Sequence, residues 1–388
     1  PAALVERRRV PAGRIDLSER PGAVGAELIA GLGLASLAAD QHPGRSTELD
    51  TFGYGVLGPI SYTFVDWLLR SAAERGVDRL LFTARDGALA QRMLHQIRSM
   101  RPGSVPNDDY FHISRRMALG LLQHDGPRLE PVFAAGEFSG SVGDLLAARL
   151  GVQLPGPAGE ALSREHVELP ADADRLRTAL EPFDELFRIQ GTAELSGFRR
   201  YLADLGIGPD EHLGLVDLGY GGTAQAALSQ VMDQKITGFY YVTSAAADVL
   251  GDAAMSCFGS DVTFDGTNVI YENNLVFEAL CSAAHPQVAS INPDGTVAFT
   301  QGTEIDPDRM EAIQSAQDAA IRFAADLAGR FGPAVFALPV DPTLVHEALA
   351  ATAGALYDQP RRVFQDLVSD DHFCGRDRSV LDTFVPLL

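Results

Sequence analysis

The chain has 388 residues, 46% hydrophobic and 21% charged, which is enough for one large domain or two with a substantial core. Its formal net charge of −21, with no basic stripe, argues against duplex nucleic acid and against an anionic membrane surface as partners. No apolar run is long enough to span a bilayer and no basic-then-apolar signal begins the chain; three cysteines far apart in sequence read as free thiols in a reducing cytosol, so a cytoplasmic protein is the expectation.

Pro1 to Arg20 is Arg-rich and irregular, and Val5 to Arg9 reads as a solvated turn. The start at Pro1, without Met, is what a fragment or a processed chain would show. Ala23 to Ala39, rich in Ala, Leu and Ile, predicts a helix that His42-Pro43-Gly44 breaks. Thr51 to Arg75 is long and apolar, and from about Pro59 it predicts a helix with proline in its first turn. Gly53, Gly55 and Gly58 ahead of it allow close backbone approach. Trp67, on an apolar face with Phe64 and Leu68, reads as a packing residue, and Gly76 as a C-cap.

Leu80 to Thr83 is a short apolar run of strand length. The small polar turn Ala84-Arg85-Asp86-Gly87 follows, and then Leu89, Met93, Leu94 and Ile97 recur at helical spacing. Strand, turn and helix put the turn at the carboxyl end of the strand, the edge where open α/β sheets bind ligands. The helix start adds backbone N–H groups and a partial positive charge. Asp86 reads there as a helix cap or as a site carboxylate. The same logic recurs at Asp109 to Ile113, where Ser114 would cap a helix over Met117 to Leu122 while Arg115 or Arg116 reaches an anion.

Arg128 to Gly208 reads as a helical, loop-rich insert, a candidate lid. The sheet resumes at His212 to Val216, followed by Asp217-Leu218-Gly219-Tyr220-Gly221-Gly222-Thr223 and a helix to Met232. An Asp at a strand end, glycines that let the backbone approach a ligand, and a hydroxyl at a helix start suit an anion-binding nest. Ile236 to Val242 is a further strand, ending in Thr243-Ser244 on the same edge. A helix over Asn274 to Ala284, containing Glu278, leads to a hairpin around Asn292-Pro293-Asp294-Gly295. Helices over Arg309 to Arg330 and Pro342 to Leu356 and a mixed tail from Val363 complete the chain. The expected architecture is α/β: a mostly parallel Rossmann-like sheet, helices on both faces, and a cap-like helical insert over about 128–208. The expected division is an N-terminal linker and helix over 1–50, an α/β domain over 51–300 and a helical region over 301–388.

Lys235 is the single lysine, so 30 of the 31 basic residues are arginines. Any phosphate clamp must be built from Arg, which suits bidentate recognition, and a Walker-type loop is excluded. Cys257, Cys281 and Cys374 are far apart, with no CxxC pair, so neither a zinc ribbon nor a disulfide framework is indicated.

Several stretches, taken in order, resemble one family. They are Phe52-Gly53-Tyr54 with Leu57-Gly58-Pro59, Trp67, Phe82 to Gly87, Ser114-Arg115-Arg116, and Asp217-Leu218-Gly219 with Gly222-Thr223 and Gln225. The family is the bacterial predicted hydrolases of the haloacid dehalogenase (HAD)-like superfamily associated with surface-polysaccharide biosynthesis. The likeness runs from about Phe52 to Glu278. It implies a phosphorylated sugar or nucleotide-sugar as ligand, Mg²⁺ as cofactor and a glycosyltransferase as partner. It also makes Pro1 to Gln41 the linker after an upstream domain. HAD phosphatases end a strand in Asp-x-Asp, with the first Asp as nucleophile; aligned on Asp86, that position is Ala84, which cannot form an aspartyl-phosphate.

By this resemblance Asp86 and Asp217 are the catalytic carboxylates and metal ligands. Arg85, Ser114, Arg115, Arg116, Gly219, Gly221, Gly222, Thr223, Thr243 and Ser244 bind substrate or phosphate. An arginine (Arg85, Arg115 or Arg116) takes the place of the family's lysine. The expected function is a metal-assisted hydrolase or transferase of glycan metabolism. Two alternatives stand beside it: a non-catalytic binding or scaffold domain linked to a glycosyltransferase, and a phosphoribosyltransferase-like enzyme whose glycine turn cradles a phosphate.

Overall fold

The computed structural model describes residues 22–39, 48–101, 103–260, 268–300 and 306–356, together with 364, 367–369 and 378–379. The Val5 to Arg9 turn, the His42-Pro43-Gly44 break, Cys374 and most of the tail from Val363 lie outside the described residues. The strands are β1 (Arg79–Thr83), β2 (Asn107–Phe111), β3 (Phe138–Ser141), β4 (His166–Leu169), β5 (Leu213–Asp217), β6 (Ile236–Tyr240), β7 (Ala254–Ser256), β8 (Val288–Ile291), β9 (Val297–Phe299), β10 (Val368–Ser369) and β11 (Arg378–Ser379).

Five strands form one all-parallel sheet in the order β2-β1-β5-β6-β7. All four strands expected for the parallel sheet are in it, and the expected hairpin around Asn292 to Gly295 forms separately as β8 with β9. Strand β2 sits two residues earlier than expected, because the chain leaves the sheet after Phe111 to cap the next helix at Ser114. Strand β7 carries three half-buried residues in a small-residue stretch, too weak a pattern to read from sequence.

Parallel strands covered on both sides are buried throughout, so β1, β5 and β6 read as continuous apolar runs. Alternation then assigns faces. Leu80, Phe82, Val216 and Phe239 face one core, filled by the helices Gly58–Arg75, Ala88–Ile97 and Pro307–Phe331. Leu81, Leu213, Leu215 and Ile236 face a second core, filled by Arg115–Leu121, Thr223–Val231 and Asp184–Asp204.

The segment 128–208 packs into this second core through Leu145, Leu146, Phe187, Leu195 and Phe198. Besides its helices it contains an antiparallel ribbon, β3 with β4, which corrects the all-helical expectation. Each strand has only four residues, and the alternation is confined to Val167 and Leu169, below what a periodicity argument detects.

On the first core, the helix Ala23–Ala39 contributes Ala26, Ile29 and Leu32. The segment Gly53–Leu57 is a π-helical turn leading into Gly58–Arg75. Its glycines lie where helices cross: a Cβ on Gly53 would sit 2.3 Å from the Ala316 carbonyl oxygen. Phe64 stacks on Tyr241 at 3.8 Å, and Trp67 packs against Phe64 and Phe239, the role its apolar face implies. Among the described residues, no helix is long and apolar enough to cross a membrane.

The close approach at Gly53 gives a direct test of how Pro307–Phe331 is seated. Gly53→Ala is expected to destabilise the protein by about 1–3 kcal/mol, the usual range for overpacking, read as a lowered urea midpoint at unchanged slope. Gly31→Ala, in a helix with nothing within 4 Å of the added methyl, is expected to be neutral or stabilising. Equal midpoints for the two variants would contradict this packing.

Candidate functional site

A cavity opens at the carboxyl ends of β1 and β5, beside the turn that follows β2. Three strand-to-helix turns form its floor. In the first, Thr83 to Gly87, Arg85 adopts a left-handed conformation (φ 72°). Its N–H donates to Tyr110 Oη at 2.7 Å, and Gly87 N–H closes the turn on the Thr83 carbonyl at 2.9 Å. The following helix is capped at Gly87 with no side-chain hydrogen bond, so Asp86 is not its cap. Asp86 lines the cavity, with Arg85 and Ala84 beside it.

In the second turn, Ser114 is extended and accepts from Met117 N–H, which fixes the start of Arg115–Leu121. Ser114 and Arg115 line the cavity. Arg116 does not. It is buried on the other side of the helix, where Nη2 reaches the Leu150 carbonyl (3.1 Å) and Glu194 Oε1 (3.3 Å). Successive helical residues are ~100° apart, so the two arginines cannot share a face.

The third turn begins at Asp217. The Thr83 hydroxyl donates to Asp217 Oδ1 at 2.9 Å, and Leu218 N–H donates to the same oxygen at 2.9 Å. Asp217 Oδ2 receives no hydrogen bond among the described residues. Gly219 lies against Val242, whose carbonyl oxygen would be 2.5 Å from an added Cβ. Gly222 takes the left-handed φ of 64° as N-cap of Thr223–Val231, and an added Cβ there would meet Leu250 at 2.4 Å. Gly219, Gly221, Gly222 and Thr223 line the cavity.

Thr243 and Ser244 are not among the lining residues. The glycine turn lies over their segment: Ser244 N–H donates to the Tyr220 carbonyl at 2.9 Å, and Thr243 N–H to the Gly259 carbonyl at 3.2 Å. Gln225 is likewise structural, accepting from Tyr240 Oη at 2.8 Å and donating to the Ala253 carbonyl at 2.7 Å.

The far wall comes from residues that the sequence argument did not single out as site residues. Glu278, Ser282, His285 and Gln287 line it, with Arg309 from the first turn of Pro307–Phe331. One signal was available: Glu278 is the single charge in the apolar helix Asn274–Cys281. His285 and Arg309 had no comparable pattern, because sequence does not show which loop folds over a sheet edge.

The cavity therefore brings three carboxylates, Asp86, Asp217 and Glu278, together with three arginines, Arg85, Arg115 and Arg309. Burial raises the Asp86 carboxyl above the ordinary carboxylate range, opposed by the Arg85 and Arg115 charges. Burial and the Asp86 charge push Asp217 up to about 7, against the hydrogen bonds from Thr83 and Leu218 and the charge of Arg115. Burial and the charges of Glu278 and Asp86 drive the Tyr220 hydroxyl well up.

Among the described residues, no three His, Cys, Asp or Glu side chains are grouped to hold a metal ion. The Asp86–Asp217 pair fits the looser requirement of Mg²⁺, which takes one or two carboxylates and completes its shell with water and substrate oxygens.

No protein-family model matches the chain, and comparison with curated proteins finds no match.

The raised Asp217 has a defined effect on stability. Its folded value, about 7, lies above the ordinary 3.8. The folded state thus holds a proton that the unfolded chain has lost, and stability falls as pH rises between those values. With chelator present, Asp217→Asn, whose Oδ1 still accepts from Thr83 and Leu218, is expected to gain melting temperature over wild type at pH 8. The gain should shrink towards pH 4. Parallel melting curves for the two proteins across that range would show that the carboxyl is not raised.

Proposed function

We propose that this cavity binds a phosphorylated sugar or nucleotide-sugar and acts on it by Mg²⁺-assisted hydrolysis or transfer, as a HAD-like protein of glycan metabolism. The carrying observation is the pairing of Asp86 with Asp217. The two lie at the ends of adjacent strands, in a cavity also lined by Arg85, Arg115 and a glycine turn at a helix start.

Each part of that floor suits a phosphate ester. Two carboxylates facing an anion repel it unless a cation intervenes, and the charge of Asp86 already raises Asp217. Mg²⁺ bound there supplies charge neutralisation and Lewis acidity at a phosphoryl oxygen. Arg115 offers planar, paired donors to phosphate oxygens. The amides of Gly221 and Gly222, at the start of Thr223–Val231, favour the same negative charge. Ala84 rules out attack by a side chain at that position. It also supports a second reading, in which binding is retained without turnover in a domain linked to a glycosyltransferase.

Calorimetry with phosphate, sugar phosphates and nucleotide-sugars, with and without Mg²⁺, tests this. Asp86→Asn and Asp217→Asn should each abolish the Mg²⁺-dependent part of binding. Arg115→Lys should weaken binding about tenfold while leaving the metal dependence intact. Mg²⁺-dependent binding without turnover would select the scaffold reading. Equal affinity in chelator, with both Asn variants binding like wild type, would remove the metal–phosphate site altogether.

A further inference from the structure

The floor of the cavity is tied to its far wall by a hydrogen-bond chain that the proposed chemistry does not use. Among the described residues, Arg85 is the one non-glycine residue with a positive φ. A side chain in that conformation brings Cβ against its own backbone, so something must hold it. One group placed to hold it is Tyr110, whose Oη accepts from Arg85 N–H at 2.7 Å. The same Oη lies 2.5 Å from His285 Nε2.

The direction of the chain follows from the other ring nitrogen. His285 Nδ1 is 2.8 Å from the Pro286 carbonyl, which only accepts, so Nδ1 carries the proton. Burial and the Arg85 charge disfavour a second proton on the ring, against the pull of that carbonyl. Neutral His285 therefore presents Nε2 as an acceptor. Tyr110 donates to it and keeps a lone pair for Arg85. Phe299, with its ring 5.1 Å from His285, and His112, with its ring 5.1 Å from Tyr110, fix the two rings from the side. Both His285 nitrogens are thus engaged within the protein, although the residue lines the cavity.

We infer that Tyr110 and His285 are positioning residues: they hold Arg85 in its left-handed turn and thereby set the direction of the Arg85 and Asp86 side chains. The consequence for ligand binding rests on the phosphate reading above. Removing the Tyr110 hydroxyl leaves Arg85 N–H without its acceptor and the turn free to relax. Removing His285 leaves the hydroxyl without the partner that orients it.

The test uses the full chain, its Tyr110→Phe, His285→Phe and His285→Gln variants, and three measurements. Nitrogen-15 imidazole spectra at pH 7, with the His285 signals assigned by their loss in His285→Gln, should show wild-type His285 neutral with the proton on Nδ1. Arg85 amide exchange should speed up about tenfold in Tyr110→Phe, the size of one net hydrogen bond. It should speed up in His285→Phe and return towards wild type in His285→Gln, whose side-chain oxygen accepts from Tyr110. Calorimetry with inorganic phosphate and Mg²⁺ should show about tenfold weaker binding in Tyr110→Phe and His285→Phe, with the metal dependence kept.

A proton on His285 Nε2, or unchanged Arg85 exchange in a folded Tyr110→Phe, overturns the inference. So does the phosphate affinity of wild type in both variants. If wild type binds no phosphate probe, the functional reading fails, and the exchange and tautomer results decide the positioning role by themselves.

Discussion

The parallel alignment of β1 with β5 is the constraint on which the site depends. Parallel strands start at one edge and finish at the other, so every turn that follows a strand is delivered to one edge. Thr83 ends β1 and Asp217 ends β5, and the hydrogen bond between them joins the two turns directly. From that junction the Asp86 turn and the glycine turn diverge along the cavity floor. Burial raises both carboxyls, and the charge of Asp86 raises Asp217 further. A site of this kind is held against its own electrostatics by the buried strands beneath it.

The surrounding structure serves that junction in two ways. Helices pack against both faces of the sheet, so β1 and β5 have no freedom to slide. The wall is then closed by elements distant in sequence, with Glu278 and His285 from one segment and Arg309 from a long helix. That helix is seated by contact with the glycine-rich π-turn, where Gly53 meets the backbone at Ala316. Seating and site are thus coupled: residues at 53–58, outside the cavity lining, pack against the helix that carries Arg309.

Much of the floor was legible because each of its residues follows a pattern with a physical cause. An apolar run of strand length, a polar turn and helical spacing recur at Asp86, Ser114 and Asp217, and all three turns meet. Three of the expected residues fall elsewhere. Arg116 is turned away by the helical rotation after Arg115 and answers a buried carboxylate, Glu194. Thr243 and Ser244 follow a strand that also ends at the site edge, but the glycine turn lies over their segment. Periodicity places a residue along an element; it does not reveal what another loop lays on top of it.

The sequence by itself determined the strands of the sheet other than β7, the handover from each strand to its helix, and the kinds of residue at those handovers. These depend on local spacing, on hydrophobic runs and on glycine, and such properties are carried within about ten residues of chain. Tertiary structure alone decided the strand order β2-β1-β5-β6-β7, the rise of Asp217 by burial and the Asp86 charge, the short ribbon inside the insert, and the wall of Glu278, His285 and Arg309. Each of these joins residues separated by tens to hundreds of positions. They arise from which surfaces bury one another, and no window of sequence contains both partners.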